Sequence, residues 1–132
     1  MGETATAYAR IGGEAGVRRL VARFYQLMDE LPEAAACRAI HPPSLVESEQ
    51  KLFEYLSGWL GGPPLFVEKH GPPMLRRRHL HAPIDTPEID GWLTCFLMAW
   101  LETVEDKELG PQVLPQVENL ARHMRNRGAP EG

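Results

Sequence analysis

A histidine flanked by apolar residues and preceded by three guanidinium groups stands in the stretch Met-Leu-Arg-Arg-Arg-His-Leu, residues 74–80. A neutral imidazole nitrogen is a good axial ligand for haem iron, and a buried porphyrin carries two carboxylates that favour cations at a pocket rim. His79 with Arg76, Arg77 and Arg78 combines both needs, although a run of arginines is also an ordinary solvated face. Zinc is the competing chemistry, because His79, His81 and His70 are all suitable zinc ligands. No carboxylate or cysteine stands at a companion spacing to complete that set.

Other side chains could act on a small bound molecule. Tyr25 interrupts an apolar helix face beside Phe24. A buried phenol wants a partner, and with a pKa near 10 it stays protonated and able to donate to bound dioxygen. Trp92 carries an indole N–H that is a donor only, unless the ring serves packing alone. His41 sits at a chain break before Pro42 and Pro43, and Ser48 interrupts an otherwise apolar stripe. Cys37 and Cys95 lack Cys-x-x-Cys spacing and read as small buried thiols.

Helices must position these groups. Val17, Leu20, Val21, Phe24, Met28 and Leu31 recur at spacings of three and four, predicting one amphipathic helix that Pro32 closes. Glu33 to Ile40 reads as a short link. Ser44 with Glu47 predicts a capping box ahead of a second stripe, Leu45, Ser48, Leu52, Leu56 and Trp59, which Gly61 to Pro64 terminate. From Pro64 to Pro83 the pattern is poorly periodic, with one short helix expected over Met74 to Leu80; a loop of that length is usually functional. Asp85 with Glu88, and Pro87, open a third helix with Ile89, Trp92, Leu93, Phe96, Trp100 and Val104 inside, running to about Glu105. A last helix carries Val113, Val117, Leu120, Ala121 and Met124, with Pro115 near its first turn. No stretch alternates as a half-buried strand would, so the fold class is all-α.

The 132 residues suit a single domain over 1–132, with 1–10 and 128–132 expected as flexible ends. A formal charge of −4 argues against nucleic acid as a partner. No apolar run approaches the roughly 20 residues that cross a bilayer, and Met1 to Arg10 lacks the layout of a secretory signal, so a cytoplasmic location without membrane contact is expected.

Ile-Gly-Gly-Glu at 11–14, Arg-Phe-Tyr at 23–25, Gly-Gly-Pro at 61–63, Leu-Arg-Arg-Arg-His at 75–79, Pro-Ile at 83–84 and Trp-Leu at 92–93 follow one another in order. Together they make the chain resemble the group II truncated haemoglobins over most of its length. The resemblance implies a two-over-two helical sandwich around haem b iron. It implies His79 as the proximal ligand, Tyr25 and Trp92 as distal donors, and His41 at a variable third distal position. Ser48 falls where full-length globins place a distal histidine, and Leu52, one turn later, is expected against the haem. Phe24, Tyr55, Leu75, Ile84 and Phe96 are expected to line or approach the haem, with Lys51 and Arg78 at the propionates. The chain departs from the family pattern at Pro72, His81 and Ala82, and Phe66 replaces a common tyrosine.

The function so implied is reversible binding of O2 and other diatomic molecules such as CO and NO, with distal hydrogen bonds slowing O2 release. Such slow release suits redox chemistry or sensing, with peroxide or sulfide as further ligands, better than rapid oxygen transport. Peroxidase or NO dioxygenase activity would need an external reductase, since no flavin or nicotinamide motif is present. A zinc-binding or haem-free helical interaction module is the remote alternative, and a monomer and a homodimer are equally compatible with the sequence.

Overall fold

The structure, a computed structural model, describes residues 5–126. The expected flexible end 128–132 lies outside these residues, as do residues 1–4. Of the stretch 1–10, the described part is not loose: Ala7–Ile11 forms helix α1, capped by the Thr6 hydroxyl, and Tyr8 packs against the core.

Gly12, at φ 112°, ends α1 and begins α2 (Gly13–Glu30); a left-handed backbone there is cheap for glycine and costly for anything larger. The predicted apolar stripe of α2 is buried, and Phe24 has no exposed surface, so truncation to alanine would cost about 3–5 kcal/mol. Pro32 stops the helix as expected and opens a single 3-10 turn, Pro32–Ala34. The link that follows is itself helical, α3 (Ala35–Ala39), because Ala34 and Cys37 bury against the neighbouring helix.

Helix α4 (Val46–Trp59) starts without the predicted capping box: the Ser44 hydroxyl accepts the Val46 amide at 3.3 Å, but Leu45 occupies the cap position and Glu47 points outward to Lys51. The region 64–83 holds two short helices rather than one, α5 (Leu65–His70) and α6 (Leu75–Arg78). α5 escapes a periodicity reading because, at six residues, it buries Phe66 alone. The third long helix, α7 (Thr86–Thr103), does begin with the Asp85–Glu88 capping box. It ends two residues earlier than expected, where Val104 turns extended. The last helix is α8 (Gly110–His123), with Pro115 inside it on an exposed face.

α2 packs on α4 and α7 packs on α8, and the two pairs cross through the contact of α2 with α7, giving the two-over-two sandwich. Gly91 of α7 permits a further close approach: a Cβ there would stand 3.0 Å from the Glu33 carbonyl and 3.1 Å from the Ala34 Cα. That contact holds α3, and with it His41, beside α7.

Candidate functional site

A cavity of about 550 Å3 opens between the helix pairs, within the usual size range of small-molecule sites. Tyr25 comes from α2, Ser48, Lys51, Leu52 and Tyr55 from α4, and Trp92 and Phe96 from α7. Leu75 and Arg78 of α6 and the loop residues His41, His79 and Ile84 complete the lining. Phe24 is the exception among the sequence candidates: it lies behind the wall, fully buried, with its ring 4.8 Å from Tyr25 and 5.0 Å from Trp92. The helical period puts position 24 inside α2 and its neighbour 25 at the edge, so Phe24 supports the cavity residues rather than lining the space.

His79 follows α6, and its Nδ1 lies 2.7 Å from the Leu75 carbonyl. A carbonyl can only accept, so Nδ1 carries the proton and the neutral ring presents its Nε2 lone pair elsewhere. This is the arrangement that orients a metal-bound imidazole. His81 also lines the cavity, from an exposed position on the following turn. Among the described residues, no three His, Cys, Asp or Glu side chains converge as a metal cluster, so His70, His79 and His81 share a wall without assembling a zinc site.

Tyr25, also in the lining, is buried at 7% relative exposure, and its hydroxyl opens to the cavity with no hydrogen-bond partner among the described residues. Burial pushes its phenol well above the ordinary value, assisted by Cys37 and Glu49, so the group remains a donor. The Trp92 indole N–H likewise has no protein partner there, and its ring stacks on Phe96 at 5.2 Å with an interplanar angle of 9°. His41, at the variable third distal position, lines the cavity as well. Its Nδ1 is 2.8 Å from the Cys37 carbonyl, so the neutral ring offers Nε2 as an acceptor. Burial, then the charges of Arg38 and His79, lower its pKa against the opposing pull of the Cys37 carbonyl. Burial also raises the Cys37 thiol to about 12 and the Cys95 thiol to about 11, leaving both protonated.

At the mouth, Lys51 is exposed and reaches Glu47 at 4.0 Å, while Arg78 donates to the His70 and Pro72 carbonyls at 2.9 and 3.0 Å. Arg78 also lies 5.3 Å over the Phe66 ring. Sequence reasoning missed Glu54, a buried carboxylate that receives Gln50, Lys69 and His70 at 2.9, 3.1 and 2.9 Å. Burial alone would raise its pKa, but those donors together hold it below the ordinary carboxylate range and tie α5 to α4. It also missed the contribution of α8 and its cap, in which Val117, Leu120, Ala121 and the cap residue Met124 line the cavity. Their three-and-four spacing was legible, but not which side of the cavity they would meet.

The chain matches the family model of bacterial-like globins over residues 6–126. It is 36% identical over 126 residues to the group 2 truncated hemoglobin of Bacillus subtilis, covering 96% of this chain and 93% of that one. The group II 2-on-2 hemoglobin of Agrobacterium tumefaciens superposes with a TM-score of 0.94 at 57% identity, over 96% of this chain and 98% of that chain. An oxygen-avid truncated haemoglobin of Bacillus subtilis superposes at 0.83 with 37% identity, over 92% and 100%. This chain is a bacterial-like globin, a group II truncated haemoglobin.

The family makes this truncated haemoglobin a haem-based ligand-binding protein, and the residues fit that cofactor. The cavity has an apolar lining, an imidazole whose Nε2 is left available by the Leu75 hydrogen bond, and cations at its mouth. Two donors with no partner among the described residues, Tyr25 and Trp92, line the same space. No helix among the described residues is long and apolar enough to cross a membrane.

Proposed function

We propose that this truncated haemoglobin holds haem b through His79 Nε2 and retains O2 with slow release, for O2, NO or peroxide chemistry or for sensing rather than for delivery. Haem b, held without covalent links, suits a chain that has no Cys-x-x-Cys-His segment. When bound, the haem supplies an iron centre with a coordination position open to a diatomic molecule. Every other part of the work falls to side chains. Leu75 fixes the His79 tautomer; Lys51 and Arg78 would meet the propionates, and Leu52, Ile84 and Phe96 would exclude water from the bound group.

The observation that carries the reading is Tyr25, whose ring is buried while its hydroxyl opens to the cavity with no hydrogen-bond partner among the described residues. A hydroxyl that the fold leaves open to the cavity is free to donate to a ligand that enters, and a hydrogen bond to a ligand carrying charge contributes more than one to a neutral group. Trp92 adds a second donor aimed at the same ligand. Donors fixed in advance in a dry cavity favour a ligand on which negative charge gathers, and so slow its departure. One relative described above, from Bacillus subtilis, is oxygen-avid, in keeping with this reading.

Hemin titration of the apo-protein tests the proposal, comparing wild type with His79→Ala and His81→Ala. A one-to-one Soret endpoint, kept in His81→Ala and lost or converted to an unligated spectrum in His79→Ala, is expected. Absence of a saturable Soret change in the wild type would overturn haem binding, and loss in His81→Ala alone would move the ligand to His81. NO consumption by the oxy form with an added reductase then separates turnover from sensing.

A further inference from the structure

The segment that carries His79 has little of its own to hold it. None of the four residues of α6 is buried, and His79, Leu80 and His81 are exposed. The small apolar cluster that follows contains Ala82, Ile84 and Ile89. A ligand on such a segment needs another constraint if its ring is to stay aimed.

Asn126, just past the end of α8, supplies one. Its side-chain oxygen accepts the Ile84 amide at 2.9 Å, and its side-chain nitrogen donates to the Ala82 carbonyl at 3.0 Å and toward the carbonyl of His79 itself at 3.4 Å. Its own amide donates to the Ile84 carbonyl at 2.8 Å. One carboxamide thus bridges 42 to 47 residues of sequence and meets the backbone at the start, middle and end of the 79–84 loop. Arg125 extends the strap, pairing with Asp85 at 2.7 Å, while Arg76 donates to the Arg125 carbonyl at 3.3 Å.

We propose that Asn126 is the positioning residue for the proximal ligand: its carboxamide clamps the 79–84 backbone and thereby sets the orientation of the His79 imidazole toward the iron. This rests on the reading of His79 as the haem ligand. Asn suits the task because a carboxamide accepts and donates at once, whereas a carboxylate of the same shape keeps the bond from Ile84 but sets a negative oxygen against the carbonyls of Ala82 and His79.

The test compares hemin-loaded wild type, Asn126→Ala, Asn126→Asp and a core variant, Val113→Ala, chosen because Val113 does not line the cavity. Three quantities are read: hemin transfer to excess apomyoglobin, the iron–histidine stretching band of the deoxy ferrous protein, and Tm. Both Asn126 variants are expected to lose hemin about tenfold faster, the scale of one or two lost hydrogen bonds. Both are also expected to shift or broaden the iron–histidine band. Val113→Ala is expected to lower Tm while leaving the other two readings at wild type. Should Asn126→Ala fold poorly, the isosteric Asn126→Asp carries the comparison. Asn126→Asp matching wild type in hemin loss and in the stretching band would overturn the inference, as would Val113→Ala changing both equally. A wild type that takes up no hemin would overturn the reading of His79 and this inference with it; normal uptake with an inert Asn126 would overturn this inference alone.

Discussion

Replacing Tyr25 with phenylalanine removes one oxygen atom, the donor that a buried ring presents to the cavity. The ring should keep its place, since it packs edge-on against Phe24 at 4.8 Å and faces His41 at 6.1 Å, contacts that phenylalanine preserves. No described protein group loses a partner, because the hydroxyl bonds none. The loss therefore falls on the bound ligand rather than on the fold. A hydrogen bond to a group carrying charge contributes about 1.5–3 kcal/mol. At 1.36 kcal/mol per decade this corresponds to roughly 10- to 150-fold faster O2 release. Stopped-flow replacement of O2 by CO measures that rate directly, and a denaturant melt of the apo-protein measures stability. Faster release with unchanged or higher stability is expected; Trp92→Phe should also accelerate release. Off-rates within twofold of wild type in both variants would refute the reasoning that these donors hold the ligand.

Two further outcomes follow from other parts of the site and its frame. Because burial lowers the pKa of His41 in the folded protein, the unfolded chain takes up the proton first as pH falls below the ordinary value near 6.5, so stability is full above that window and declines within it. A series of apo-protein melts through acid pH should show that decline, and His41→Phe should flatten its slope; an unchanged slope would assign the effect to another group. Asp85→Ala removes the cap of α7 together with the ion pair to Arg125, and should cost about 0.5–2 kcal/mol for the cap in urea denaturation.

The long helices were legible because their cores repeat: Val17 to Met28 and Ile89 to Trp100 each write a buried stripe that no other period explains. Their signals are local, within one helix. The pocket was legible for a different reason, since His79, Tyr25 and Trp92 stand in ordered motifs and the structure brings all three to one cavity. What could not be read are relations across sequence distance. Asn126 carries no motif, and its partners lie 42 to 47 residues away. Glu54 looks like a surface acid on an amphipathic helix until α5 folds over it and delivers Lys69 and His70. The Ser44–Glu47 box failed because the chain entering α4 places Leu45, not Ser44, at the cap. Phe24 shows how one residue step, about 100° of helix, separates supporting a wall from being part of it.

The unburied α6 gives the molecule one stiff side and one soft side. α2, α4, α7 and α8 share a continuous core, whereas no residue of 75–81 is buried, and segments with few buried contacts are the ones expected to open locally at a fraction of the global cost. Cofactor entry and exit would then be a local event of a folded protein. Their rates should follow hydrogen exchange in the 75–84 segment and be indifferent to stabilisation of the distant core, so a cell could load, strip and reload such a globin without ever unfolding it.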